Sequence, residues 1–433
     1  MHTAARSMLI ILLATVMSVM ATAGGKPPVS FTYYSLARFQ SEQDTIKGII
    51  EAWNLKHRGF SVKYVQGDGD AVQVGIPQIP PGNSMPDMFQ CEAGVARDLA
   101  MRGLAADCRP AIDKAYVNDV RGDIWRLLSD RDGRICGLPF QIEDEVLIYN
   151  TRMFKSKNIE PPSAARPWSF ADLRQAALKL TDTGQGVYGL GIPLNNPAYI
   201  HEYWGLKEGI TDIIGKNGDG RPSMRVTGKT VALLRWLRDL VYVDGVMPGE
   251  VFADGIAGSL VADFVAGKYA ILAGVGCGVR NQLINQCACL NVPAPYGVCP
   301  PPKELSQANV PRIQTVCVPA RAENQKEIWE FLKYFTNTVN QLNIATRAFA
   351  MPARNSAQAA SELHVKFDYW GVVAESMGHI TVPEFILTAG WQRFCEGAGK
   401  TIYQAYFRNE ITVDALAKRV ETEGTQALRE AER

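Results

Sequence analysis

The 433 residues carry 45 lysines and arginines against 44 aspartates and glutamates, a formal net charge of +1 with no basic stripe, and this excludes binding to nucleic acid through charge. Hydrophobic residues at 47% and charged residues at 21% are those of an ordinary soluble globular protein, long enough for two or three domains with well-filled cores.

The chain opens with a secretion signal. Arg6 supplies positive charge, residues 8–20 are nearly all apolar, and Ala21-Thr22-Ala23 forms a cleavage site. The apolar run is short for a membrane span. No cysteine lies near the cleavage point, so a lipid anchor there is not expected. The mature protein is expected to start at Gly24, and to be periplasmic or otherwise exported and soluble.

Residues 29–34 read as a strand and 35–39 as a loop. Residues 43–56 read as a helix, because Ile46, Ile49, Ile50 and Trp53 share one face. A second strand covers 60–65. After a Pro/Gly-rich stretch, Pro86-Asp87 introduces another strand, with Asp87 a strand-end residue, and 95–101 continue as a helix. Residues 137–140 read as a turn ending extended chain, 141–145 as a polar, acidic segment, and 146–149 as a buried strand that Asn150 and Thr151 break. Ser169 and Asp172 fit a capping box, followed by the apolar face Leu173, Ala176, Ala177 and Leu180.

A short strand over 187–190 leads into 195–204, a loop dense in aromatic and polar residues. Leu233, Trp236, Leu237 and Leu240 mark a helix that ends in the turn 244–248. Residues 264–271 read as helix, turn and strand, with the strand ending at 274–278. The proline-rich stretch 291–302 reads as a crossing, and 316–320 as a strand. Ile328, Phe331, Leu332 and Phe335 mark a helix, and Val413, Leu416, Ala417 and Val420 mark the last one. Strands alternate with helices throughout, so the fold class is α/β.

One pattern runs across the middle of the chain. Gly137, Pro139 and Phe140 are followed by Tyr149 and Asn150, then by Phe154. Pro161-Pro162, Trp168, Asp172 and Leu173 complete it. In order and spacing it resembles the family 1 extracellular solute-binding proteins of bacterial ABC importers, the maltose-binding-protein-like group. "P-D" at 86–87, "G-L" at 103–104, and Phe264, Gly267 and Ala270 fit the same family, so the resemblance covers most of the mature chain.

The resemblance implies two discontinuous α/β lobes joined by a hinge, with a ligand cleft between them. It gives a signal peptide over 1–23, a first lobe over 24–142 plus 293–320, and a second over 143–292 plus 321–433. The chain would cross near 142–145, 291–295 and 320–323. It implies an exported binding protein that captures a carbohydrate by hinge closure and delivers it to the permease of an ABC transporter. It implies no cofactor, no catalysis and no nucleic-acid partner.

A sugar site needs aromatic faces to cover the C–H face of a ring, and carboxylates, amides or arginine for its hydroxyls. A buried hydroxyl left unpaired costs ~1–3 kcal/mol. The loops that the resemblance puts at the cleft supply Arg38 and Phe39, then Gln90, Cys91 and Glu92. Glu143 comes from the first crossing, although consecutive acids at 143–145 also read as a solvated turn. Asn196, Tyr199, Tyr203 and Trp204, with His201, come from the aromatic loop, and Gly276 and Cys277 from the end of a strand. Trp391 is the C-terminal aromatic expected to line the cleft, with Trp370 its rival. Each aromatic also reads as core. Cys91 and Cys277 stand where the family often has an aromatic or other contact.

Other functions fit less well. A glycosidase needs two carboxylates flanking the bond ~5–9.5 Å apart, which adjacent residues of 143–145 cannot easily do. Cys91 with His201 could imitate a thiol nucleophile and its base, but no catalytic signature surrounds them. Gly274, Gly276 and Gly278 fall short of a dinucleotide fingerprint. An adhesion module, or a binder of a sugar phosphate, a polyol or a small anion held by Arg38, stays open. The nine cysteines lack the paired spacing of a zinc site and read as structural disulfides or buried thiols, with Cys91 and Cys108 one possible pair.

Overall fold

The β-loop-α-β opening sets the pattern of the whole chain. A computed structural model describes residues 29–37, 39–57, 59–67, 86–143, 145–194, 196–248 and 257–431. The expected leader 1–23 and Arg38 lie outside the described residues. β1 (Val29–Ser35) turns Phe31, Tyr33 and Ser35 inward. α1 (Gln40–Lys56) buries Ile46, Ile49, Ile50 and Trp53, the stripe its spacing predicts. β2 (Phe60–Gln66) pairs in parallel with β1. β3 (Met88–Glu92) runs directly into α2 (Ala93–Met101). Asp87 sits at the strand end, where its carboxylate accepts from the Thr32 amide at 2.7 Å.

β4 (Leu138–Glu143) and β5 (Val146–Asn150) follow, then α3 (Phe170–Leu180), which starts with the predicted Ser169–Asp172 capping box. β6 (Tyr188–Gly191), the hairpin β7 (Ile214–Lys216) and β8 (Pro222–Met224), and α4 (Gly228–Tyr242) come next. α5 (Ala257–Val265), β9 (Tyr269–Val275), α6 (Cys277–Cys289) and β10 (Tyr296–Cys299) precede β11 (Arg312–Cys317). α7 (Gln325–Phe335), α8 (Thr338–Ala348) and β12 (Met351–Pro352) lead to a helical C-terminal region.

The strands form two mixed sheets besides the hairpin. One has six strands in the order β12-β4-β11-β3-β1-β2, and the other four in the order β10-β5-β9-β6. β5 shows the two-residue alternation of a strand buried on both faces: Val146 and Ile148 belong to one hydrophobic core, Leu147 to the other. The first core holds the six-stranded sheet with α1, α2, α7 and α8, and it continues onto α5, α6 and one face of β9. The second holds α3, α4 and the C-terminal helices.

Several local expectations differ from what the chain does. Residues 138–140 are not a turn but the start of β4, in the middle of the six-stranded sheet. Pro139 has no amide to donate, and the strand absorbs this with a bulge: the β4–β11 register slips between Gln314 and Thr315, leaving Phe140 as the extra residue. Gly137 is required just before it. A Cβ there would lie 2.4 Å from the Thr315 hydroxyl and 2.8 Å from the Cys317 sulfur. The strand expected over 316–320 begins earlier, at Arg312. The aromatic segment expected as a loop contains a π-helical turn, Tyr199–Gly205. Gly276 caps α6, and Cys277 is that helix's first residue rather than a strand end.

Two strands fall in the other sheet from the one the expected boundaries imply. β10 pairs with β5, so the return to the six-stranded sheet comes after Cys299, through the prolines at 300–302. β12 pairs with β4, and α7 and α8 pack in the first core. The last passage comes after Val382 in the first core, before Phe385 and Trp391 in the second.

All nine cysteines are thiols, eight of them buried. Cys91 lies 3.5 Å from Cys317, sulfur to sulfur, rather than against Cys108, whose thiol points to the Gly137 carbonyl at 3.8 Å. Among the described residues no helix is long and apolar enough to cross a membrane.

Candidate functional site

Where β3 ends and β11 begins, the wall turns polar. Arg312 and Gln314 alternate along β11 with buried Ile313, so both face the same side of the sheet. The register puts Glu143 opposite Arg312 and Glu92 opposite Gln314. Arg312 pairs with Glu92 at 3.4 Å, and Gln314 donates to Glu143 at 3.5 Å. Behind this row Gln90 locks the sheet internally. Its amide donates to Gln314, and its oxygen accepts from Ser35 and from the Leu36 amide.

The facing wall comes from the π-helical turn and the start of the C-terminal helices. Tyr199 and Glu202 lie three residues apart and share the cleft side, while Ile200, Tyr203 and Trp204 enter the second core. The Arg312 guanidinium sits over the Tyr199 ring at 4.4 Å, a cation–π contact across the cleft. Trp391 donates its indole N–H to Glu202 at 2.7 Å. Asn196 donates to Glu396 at 2.9 Å. Gly390 makes the placement of Trp391 possible: with φ at 87° it turns the chain tightly, and a Cβ there would lie 2.9 Å from the Ala427 carbonyl oxygen.

Charge is unevenly shared across this space. Burial, then the carboxylates of Glu92 and Glu396, push the Glu202 carboxyl up to about 7, against the hydrogen bond from Trp391 and the pull of Arg312. Burial alone would lower Arg312, yet Tyr199, Glu92, Glu143 and Glu145 hold its guanidinium charged well above the usual range. Next to the cleft, Lys207 is fully buried and donates to the carbonyls of Tyr203 and Ala308. Burial pulls it down to about 7, while Glu145 raises it. Among the described residues no group of three or more His, Cys, Asp or Glu could hold a metal ion.

Glu92 and Trp391 line this cleft, although the Trp391 side chain is mostly buried in the second core, and Glu143, Tyr199 and Asn196 lie beside it through their contacts with Gln314, Arg312 and Glu396. Trp370, the rival of Trp391, is in the first core. Gln90 braces the row from within. Cys91 and Cys277 are buried in the first core, and Tyr203 and Trp204 in the second, so none of the four presents a side chain to the cleft. His201 is buried as well, with its ring 2.6 Å from the Tyr403 hydroxyl. Phe39 lies against α6, with its ring 3.8 Å from the place of a Cβ on Gly278, just past Gly276. Sequence reasoning missed Arg312, Gln314, Glu202 and Glu396. The alternation of Arg312 and Gln314 around an apolar residue was the available signal for the first two.

Comparison with known proteins adds to this geometry. The family described as bacterial extracellular solute-binding protein matches residues 48–368. A relative from Streptomyces antibioticus, named an uncharacterized lipoprotein in the oleD 5′ region, is 26% identical over 391 residues, or 89% of this chain and 84% of its own. Among solved structures, the GacH receptor of Streptomyces glaucescens, studied without ligand and with acarbose, is 18% identical with a TM-score of 0.73, over 93% of this chain and 99% of its own. The maltotriose-binding protein of Thermus thermophilus, bound to maltotriose, is 18% identical at a TM-score of 0.70, over 93% and 100%. A solute-binding protein of an ABC transporter from Thermotoga lettingae, bound to α-D-tagatose, is 17% identical at 0.74, over 92% and 100%. At these identities the likeness to the solved structures is one of fold.

Proposed function

Because the chain belongs to the bacterial extracellular solute-binding protein family, we propose that it captures a carbohydrate in the cleft between its two sheets and presents it to the permease of an ABC importer. The family is one of binding proteins, which sets aside the carbohydrate-active-enzyme alternative. One observation carries the sugar reading. Glu92 and Arg312 of the six-stranded sheet face Glu202 and Trp391 across one space, and Glu143, Gln314 and Tyr199 adjoin them. Carboxylates, an amide and a guanidinium can each pair with ring hydroxyls, and the aromatic side chains can cover a sugar's C–H face.

The cleft measures about 90 Å³, well under the roughly 300–1,000 Å³ of a formed ligand pocket. A sugar touching both walls therefore needs them to part. The passages at 143–146, 300–311 and 383–391 are the places for a hinge, between a first lobe on the six-stranded sheet and a second on the four-stranded sheet with the C-terminal helices. Ligand contacting both lobes shifts the population toward the closed form, which the permease reads. Glu92, Glu143, Arg312, Tyr199, Glu202 and Trp391 are the ligand contacts in this reading.

A thermal-shift screen against a panel of mono- and oligosaccharides tests it, followed by small-angle scattering with the best stabiliser. The expected result is a smaller radius of gyration with ligand, and a sugar recovered unaltered. No stabilisation by any sugar, or turnover of the bound one, would sink the proposal.

A further inference from the structure

Two of the passages between the cores are fastened to each other at one residue, Asn309. Just before it, the chain is held from the side of the second core. The Lys303 amide donates to the Trp168 carbonyl at 2.8 Å, and the Ser306 hydroxyl to the Leu206 carbonyl at 3.0 Å. Buried Lys207 donates to the Ala308 carbonyl at 3.3 Å. Ala308 and Val310 both belong to the second core. Asn309, between them, is bonded the other way. Its amide donates to the His379 carbonyl at 3.1 Å, and its carbonyl accepts from the Thr381 amide at 2.8 Å, a parallel bridge around Ile380. Ile380 packs against the first core, and Val382 belongs to it.

The Asn309 side chain does not share in this bonding. The residue is fully buried, yet neither its Oδ1 nor its Nδ2 has a hydrogen-bond partner. A carboxamide has an acceptor oxygen and two donor hydrogens to satisfy, and burying it without partners is unfavourable. The arrangement that buries it is therefore raised in free energy. The next three residues, Val310, Pro311 and Arg312, line the narrow cleft. The unpaired amide thus sits at the edge of the space that has to widen.

We propose that Asn309 is a positioning residue for ligand capture: its buried, unpaired amide destabilises the shut cleft relative to the parted one. When the walls part, water reaches the passage from the cleft side and the amide gains partners. A ligand bridging both walls offsets the cost on closure. A shut form too stable on its own would leave few molecules competent to bind, and apparent affinity falls with that fraction. The inference rests on the capture reading, and its test uses no sugar, so its failure leaves that reading in place.

Spin labels at Leu55→Cys on α1 and Val243→Cys just after α4 report the distance between the lobes of the full mature chain. Both positions are exposed. Cys289, the exposed thiol, is replaced by serine, and the other eight cysteines are buried. Electron–electron resonance with asparagine at 309 is expected to show a shorter and a longer population of distances. Asn309→Leu, close in size and apolar, should lower the ratio of longer to shorter by about tenfold and raise the midpoint of urea unfolding. Asn309→Ala removes the amide and adds no bulk, so it should lower the ratio too, whatever the cavity does to its stability. An unchanged ratio in both variants, even with a shifted midpoint, marks a merely structural amide and would overturn the proposal. A shift toward longer distances would overturn it as well, because the amide would then be stabilising the shut form.

Discussion

Arg312→Gln is the sharpest probe of the cleft, because Arg312 is the cation that ties its two walls together. Coulomb's law at an effective dielectric of about 20 gives roughly 5 kcal/mol for a charge pair at its 3.4 Å from Glu92. Water still reaches 25% of the Arg312 side chain and 20% of Glu92, which trims the net value to about 1–3 kcal/mol. The Tyr199 contact adds about 0.5–1 kcal/mol. Glutamine keeps a donor but leaves Glu92, Glu143 and Glu145 without their shared counter-charge. Urea unfolding should therefore give a protein less stable by about 1–3 kcal/mol, with a smaller deficit at high salt. Once the sugar is identified, calorimetry should show an affinity lower by about ten- to a hundredfold, from the loss of hydrogen bonds worth about 1.5–3 kcal/mol. A double-mutant cycle with Glu92→Gln should give a coupling of about 1–3 kcal/mol. Unchanged affinity in a folded variant, or a coupling under about 0.5 kcal/mol, would refute the account of Arg312 as the bridge between the walls.

Two neighbouring acids should separate by their roles. Glu143→Gln is expected to lower sugar affinity by about ten- to a hundredfold, whereas Glu145→Gln should act on stability, because Glu145 supports the charge of buried Lys207; calorimetry and urea unfolding on the pair decide it, and the opposite assignment would sink it. The third expectation concerns pH. Glu202 has its carboxyl raised from 4.5 to about 7 in the folded protein, so its favourable contribution is complete below 4.5 and is lost as pH rises through 7. Glu202→Gln removes this loss, and the variant should gain about 1–3 kcal/mol on the wild type between pH 5 and 8. A stability difference that stays flat over that range would count against a buried, protonated Glu202.

Much of the scaffold was legible, because local patterns carried it. The stripe Ile46, Ile49, Ile50 and Trp53 and the Ser169–Asp172 box are short-range signals that packing left intact. Position in the chain singled out the acidic residues Glu92 and Glu143, and Trp391 as well. The cysteines and aromatics were harder. Tyr203 and Trp204 were read together with Tyr199, but a π-helical turn sends the first two to the core and Tyr199 with Glu202 to the cleft. Nothing local in the sequence fixes the rotation of that turn. Arg312 and Gln314 were hidden because the strand was started late, at the uniformly apolar residues 316–318, where a buried central strand shows no alternation. Pro139 disguised β4 as a turn, since a proline in a central strand is tolerated only where a bulge absorbs it.

The place of β11 has a consequence for the order in which this chain can fold. β11 lies between β3 and β4, yet it comes after all the strands of the other sheet. Until β11 is made, the six-stranded sheet lacks the strand that joins β3 to β4 and cannot close. Contacts of such long range form slowly, because closing the large loop is unfavourable before it is rewarded. The six-stranded sheet is thus completed only late in the chain, after every strand of the other sheet is in place. A fragment ending before Arg312 would lack the strand between β3 and β4 and should have no native state of its own.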